Sequence, residues 1–433
     1  MKTILIAMLA LGCGALGCGT VVAKHSEDAQ RPQADASSPD VMVTSIDASH
    51  AVDAMAMVDG SVADAGPPPV TNNQLAYLVL GQPDFVSDKP NNDGPSGSSL
   101  YYPSSVSSYG TQLWIGDDSD NRVLGWAAEP GTLDAAASNV LGQTSFSSNS
   151  DGVTQTTFAR FSQEAICTDG TRLFVVDAGG NRVLMWSPIP TGNGAPATLV
   201  LGQSSWTASA TGTSAASMNG PRGCATDGTH LFVSDHGNSR VLVWNEIPTA
   251  MGQAADLELG WTGFGMGAGD ATLPPSASSL NSPIGLAIDA GRLFVVDAGN
   301  QRVLVWNAVP TSSGMSADLV IGQSDFGGGS PNAGEATVSA DGFDDPNGIA
   351  MGDGSLFVSD AQNHRVVVFT PVPTAMGARA AAVLGQTDLV TSTAPTAPSQ
   401  SNFSTPEGMT VAGNRLWVVD GGYSRAVAFT LGE

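Results

Sequence analysis

A short apolar run ending in Asp, with an Arg five residues later that opens a second apolar run, occurs six times in this chain. The arginines are Arg122, Arg182, Arg240, Arg302, Arg365 and Arg425, at steps of 60, 58, 62, 63 and 60 residues. Their partners are Asp117, Asp177, Asp235, Asp297, Asp360 and Asp420. So regular a period, with the same punctuation each time, means one supersecondary unit repeated, each copy burying its apolar face against the next. The runs "LFVVD" and "RVLVW" are β-branched or aromatic and bounded by Gly, Asn, Pro or Asp, which predicts strands. The Asp-to-Arg link is then a tight hairpin, with Asn or Gly expected at the position of positive φ.

Two further strands complete the unit. An entry strand precedes each Asp run: "PSSVSSY", "QEAICTD", "PRGCATD", "PIGLAID", "PNGIAMG" and "PEGMTVA". A "VLGQ" strand has its Gly at 81, 142, 202, 260, 322 and 385. The first of these lies before the first entry strand, and none follows Arg425. The count balances only if Leu78–Phe85 supplies the outer strand of the last unit and closes a ring, which removes the open edges of a linear array. The expected fold is all-β, a six-bladed β-propeller.

The quoted pattern resembles the NHL-repeat family, with its Pro-x-Gly-hydrophobic, hydrophobic-Val-x-Asp and Asn-x-Arg-Val signatures, over about residues 75–433. "SADLVIGQ" at 316–323 is similar to exported bacterial members. The resemblance implies a six-bladed ring used mainly as a binding platform. It implies no single chemistry, because relatives bind protein or RNA and similar rings serve as lactonases and lyases.

Net charge is −24, and residues 73–433 alone hold 32 acids and 13 bases. A body this acidic repels phosphate backbones, so no nucleic-acid partner is expected. The N-terminus reads as an export leader: Lys2, then "ILIAMLALGCGALGC", too short to remain as a membrane span. "ALGC" resembles a lipobox, although Ala15 stands where Leu is usual, and predicts a leader over 1–17 with Cys18 as the lipid-bearing residue. The competing reading is cleavage after Ala23 and release of a soluble protein. The Gly12, Gly14 and Gly17 spacing imitates a nucleotide-binding loop but lacks a strand–turn–helix setting. Residues 18–72, rich in Ala, Asp, Ser and Pro, read as a disordered tether before a domain over 73–433. Expected localisation is the cell envelope, with secretion or the periplasm as the alternative.

Regularity argues for structure and departures from it argue for function. The six Asp/Arg pairs are expected to brace their own hairpins, contributing about 0–1 kcal/mol each if exposed. Trp126, Trp186, Trp244, Trp306, Phe369 and Phe429 share one slot; Trp114, Phe174, Phe232, Phe294, Phe357 and Trp417 share another. Both slots read as blade packing, with a stacking platform as the sharper alternative. Trp261 replaces the Gln found at 82, 143, 203, 323 and 386, and is expected to be drift on an outer strand.

The position after the entry-strand Pro should lie near the ring axis. It holds Ser104, Glu164, Arg222, Ile284, Asn347 and Glu407. Glu164, Arg222, Asn347 and Glu407 are the candidate binding residues. Glu164, Asn347 and Glu407 are hard oxygen donors of the kind Ca²⁺ takes, and they would carry a metal-assisted lactonase- or lyase-like reaction if one exists. Against that, only three donors converge and Arg222 would repel a cation. The loop "GGGSPNAGEATVSADGFDD" adds Glu335, Asp341, Asp344 and Asp345 as a candidate weak cation site, against a solvated acidic loop. The five histidines (His25, His50, His230, His236 and His364) have no metal-ligand spacing, and no G-x-S-x-G or H-E-x-x-H occurs.

Cys167 and Cys224 sit on entry strands of neighbouring units, in slots one residue apart. They either face each other across the blade interface and bridge, or pack as small apolar side chains. The sequence therefore supports an exported, monomeric ring that binds a protein or small ligand, with the calcium-assisted hydrolase as the alternative.

Overall fold

The computed structural model describes residues 69–267 and 273–432. The leader, Cys18 and the tether up to residue 68 lie outside them. Six four-stranded antiparallel sheets form the fold, each joining entry, Asp-run, Arg-run and outer strand in that order. In blade 1 these are Pro103–Tyr109, Gln112–Asp117, Arg122–Trp126 and Asn139–Leu141. Innermost strands of successive blades touch all the way round, the sixth meeting the first. The ring is a six-bladed β-propeller.

Closure works as the strand count demands. Leu78–Leu80 pairs antiparallel with Arg425–Thr430, Leu78 opposite Ala428 and Leu80 opposite Ala426. The packed body begins earlier than the expected boundary at 73. Val70 is buried, and Gly432 N–H donates to the Pro69 carbonyl at 2.6 Å. Asn73 N–H bonds the carbonyl of Val383, and the Asn72 side chain accepts from the Val383 N–H, both at 3.0 Å. Elsewhere a turn of the following blade covers this outer edge, as Gly194 does at Val140 and Gly314 at Glu258. Residues 69–73 are ordered because the chain start must cap blade 5 as well as complete blade 6.

Each Asp-to-Arg link is a three-residue 3₁₀ turn followed by one left-handed residue. That residue is Asn121, Asn181, Ser239, Gln301, His364 or Ser424, so the expected Asn occurs twice and Gly never. The strain is of order 1 kcal/mol, and the "LGQ" glutamine offsets it. Gln143 Nε2 donates to the Asn121 carbonyl, Gln323 to Gln301 and Gln82 to Ser424, each at 3.0 Å. Trp261 is not drift: its indole N–H reaches the neighbouring Asn238 carbonyl at 2.9 Å and does the missing glutamine's work.

The Asp/Arg pairs are not surface braces. All twelve side chains are fully buried. Arg302 donates through Nε to Asp297 at 2.7 Å, and through its other nitrogens to the carbonyls of Phe326, Ser276 and Ser279 at 2.6–3.0 Å. One guanidinium thus staples the loops on both sides of its hairpin. Both aromatic slots are buried too, which excludes them as a stacking platform. The indole N–H groups of Trp126, Trp186, Trp244 and Trp306 cap carbonyls nine residues on.

Among the described residues, no helix is long and apolar enough to cross a membrane.

Candidate functional site

The Asp-to-Arg turns and inter-blade loops surround one mouth of the ring, and the entry strands carry their first residues to the same end. A cavity of about 600 Å³ opens there, bordered by Tyr102, Ser104, Arg160, Gln163, Arg222 and His236. A second cavity of about 370 Å³ shares Asp118, Ser119 and Arg160 with it and continues outward to Asp151. Together they form a groove from the axis across the junction of blades 1 and 2.

The candidate axial residues do converge, but as a sealed cluster. Blade 2 lacks the Pro-x-Gly entry and places Glu164 in the left-handed region at φ 58°. Its carboxyl reaches across the axis, where Oε1 accepts from the Met409 N–H at 3.1 Å. Asn347 Nδ2 donates to Glu407 Oε2 at 3.4 Å, and the Tyr102 hydroxyl donates to Oε1 at 3.3 Å. The close approach explains the entry glycines: a Cβ on Gly348 would fall 2.2 Å from the Glu407 carbonyl. Ser104 turns aside to the Ser162 carbonyl at 3.1 Å, and Ile284 is buried.

Burial pushes both Glu164 and Glu407 up to about 8, so both hold their protons at neutral pH. The Tyr102 hydrogen bond is the largest influence opposing this at Glu407. Arg222 donates to the Gln163 side chain and is held below its ordinary value, chiefly by burial. His236 is pushed down to about 4 by burial and by Arg222, leaving a neutral imidazole. The mouth therefore sets the guanidinium groups of Arg160 and Arg222, with Asp118 between the two cavities, above a floor of neutral acids.

This floor does not suit calcium, which takes six to eight oxygens from ionised or carbonyl donors. Glu164, Asn347 and Glu407 offer only three donor side chains, already engaged by Met409, Tyr102 and one another, with the cationic Arg222 nearby. No group of three or more His, Cys, Asp or Glu able to hold a metal ion exists among the described residues. The long acidic loop does not gather either. Asp341 meets Arg379 at 3.4 Å, while the backbone N–H groups of Asp344 and Asp345 bond Asp360 and Gln301 at 2.6 Å.

The opposite mouth is different. A cavity of about 220 Å³ is lined by apolar side chains such as Val106, Leu286 and Met351 and by hydroxyls of Ser107, Ser108, Thr168, Thr226 and Thr410, with Glu164 as its one titratable carboxyl. Cys167 and Cys224 border it, joined Sγ to Sγ at 2.13 Å with their Cα atoms 5.7 Å apart.

Sequence reasoning missed Tyr102, Asp118 and Arg160. The first two adjoin repeat landmarks, whereas Arg160 lies in an inter-blade loop of no fixed pattern. Its one legible signal was being an arginine outside the repeated slot.

The NHL repeat model matches residues 280–306 and 343–369, the first three strands of blades 4 and 5. No curated protein matched the chain. Among solved structures, a streptogramin B lyase is similar at 12% identity and TM-score 0.40, over 80% of this chain and 96% of that one. A nidogen/laminin complex is similar at 16% identity and TM-score 0.34, over 61% and 73%. Neither likeness is strong enough to carry function, and the recurrent Pro-x-Gly, Asp and Arg landmarks stand on the chain's own geometry. The protein is a six-bladed β-propeller, two of whose blades match the NHL repeat.

Proposed function

We propose that this ring is a binding platform that takes its ligand at the mouth formed by the Asp-to-Arg turns. The supporting observation is loss of symmetry. The six Asp/Arg pairs and twelve core aromatics repeat almost unchanged, whereas the axial positions read Ser, Glu, Arg, Ile, Asn and Glu, and two of them, Ser104 and Arg222, border the roughly 600 Å³ cavity. A single ligand needs a single constellation, and that is where one stands. A calcium-assisted lactonase- or lyase-like activity receives less support, since its three residues are protonated or amide groups already bonded to one another and to backbone. The platform is exported on this reading, carried by Cys18 lipidation or released after Ala23; the Cys167–Cys224 bond suits an oxidising compartment.

The test is a thermal-shift screen of small polar metabolites and oligosaccharides on the wild-type chain and on Ser119→Trp. Ser119 is exposed and borders both cavities, so its replacement obstructs the groove without entering the core. Compounds that raise Tm in the wild type and not in Ser119→Trp are expected. Hits that stabilise both proteins equally would place binding elsewhere. Metabolic labelling with palmitate, abolished by Cys18→Ser, tests the anchor.

A further inference from the structure

The chain has twelve arginines between Arg122 and Arg425. Ten of them lie within 4 Å of a carboxylate. The two that do not, among the described residues, are Arg160 and Arg222, and both border the mouth cavity. Shortage of acids is no explanation in a body with 32 of them against 13 bases. Nor is the mouth a place where charges go unfelt. Arg160 is exposed and Arg222 half-buried, and neither has a carboxylate in salt-bridge contact, although Asp118 lies near both; a guanidinium withdrawn from water without a direct partner is costly until one arrives.

From this geometry we infer that the groove binds a carboxylate-bearing, polyhydroxylated ligand, of the class of uronate-containing oligosaccharides, with the carboxylate between Arg160 and Arg222. The inference rests on the mouth being the binding site. Arg presents a planar fork of N–H groups that matches a carboxylate in bidentate geometry. Asp118 and Asp345 lie near enough to act electrostatically on Arg222, which makes the place hostile to a phosphate dianion and tolerant of a singly charged carboxylate. Much of the remaining surface is hydroxyl and amide, from Ser104, Ser119, Ser162 and Gln163, with Tyr102, Phe161, Ala178 and His236 beside them. It offers hydrogen-bonding partners for sugar hydroxyls and the aromatic ring of Tyr102, on which a sugar face can rest. The continuation past Arg160 toward Asp151 suits an extended chain rather than a single sugar.

Isothermal titration calorimetry of the purified chain at low ionic strength tests this with four probes: trigalacturonate, its methyl ester, a neutral galactose trimer and triglutamate. Saturable binding is expected for trigalacturonate, with at least tenfold weaker binding of the ester and the neutral trimer. Arg160→Gln and Arg222→Gln should each weaken trigalacturonate at least tenfold. Arg172→Gln, which removes the same charge at the opposite end of blade 2, should leave it unchanged. Melting temperatures near the wild-type value establish that the variants fold. Equal binding of acid and ester, insensitivity to both mouth arginines, or no heat at 10 mM probe would overturn the inference. Tighter binding of triglutamate than trigalacturonate would overturn it in favour of an acidic peptide. Ser119→Trp separates the two levels of the reading. If it abolishes binding while both Arg→Gln variants bind normally, the site stands and the carboxylate class falls. If binding survives Ser119→Trp, the site itself is wrong.

Discussion

Cutting one arm of a buried Asp/Arg pair should destabilise the whole ring, and the size of the effect follows from what each atom touches. In blade 4, Arg302 holds Asp297 and three loop carbonyls, while Asp297 also accepts from the Asn300 side chain at 2.9 Å and the Asn281 N–H at 2.6 Å. Arg302→Met leaves a buried carboxylate with those two donors and strips three carbonyls of theirs, which should cost about 4 kcal/mol. Asp297→Asn leaves a buried guanidinium balanced only by carbonyls, at about 3 kcal/mol. The double variant should lose about 4 kcal/mol rather than the sum, because the second change restores charge balance. Equilibrium unfolding in urea, followed by tryptophan fluorescence, gives all three values from midpoint shifts at constant slope. Losses that add to within about 0.5 kcal/mol would show that Asp297 and Arg302 act independently and refute the staple.

Three further outcomes follow. Removing residues 69–85 should leave the protein aggregated or without a cooperative transition, while removing 24–67 should leave Tm unchanged; a normal melt without 69–85 would mean the ring closes another way. Glu164 and Glu407 hold a proton in the fold up to about pH 8 and lose it when unfolded above about pH 4.5. The folded state therefore binds more protons across that window, and their contribution to stability falls as pH rises through it. Glu164→Gln and Glu407→Gln should flatten this slope and stabilise the protein at pH 8–9; an unchanged urea midpoint-against-pH profile would contradict the assignment. Reduction, or Cys167→Ala with Cys224→Ala, should cost about 4 kcal/mol, since the bond spans 57 residues of chain. Intact masses that do not rise by two hydrogens on reduction would show that the thiols are free.

The repeat was legible because a propeller blade is a local object. Its strands lie within about 60 residues, its turns need recognisable residues, and its alternating apolar runs survive without knowledge of the neighbours. Even closure could be read, as a matter of counting outer strands. Sequence regularity could not say which charges are buried. Asp/Arg pairs at five-residue spacing look alike on a surface and in a core, and only packing of the loops over each hairpin decides between them.

The mouth was half visible. The axial slot was named from the Pro-x-Gly register, so Glu164, Arg222, Asn347 and Glu407 were in view. Their chemistry was not, since a carboxylate on paper is an anion, whereas burial at the axis makes Glu164 and Glu407 neutral acids in spite of the hydrogen bonds from Met409 and Tyr102. Arg160, in an inter-blade loop, joins Arg222 across dozens of residues only when blades 1 to 3 are arranged around the axis. By itself the sequence determined the unit, the number of units and how the ends meet, because these rest on short-range patterning. Tertiary structure decided which side chains share a cavity and which charges go unpartnered there, because desolvation and long-range proximity exist only once the ring is closed.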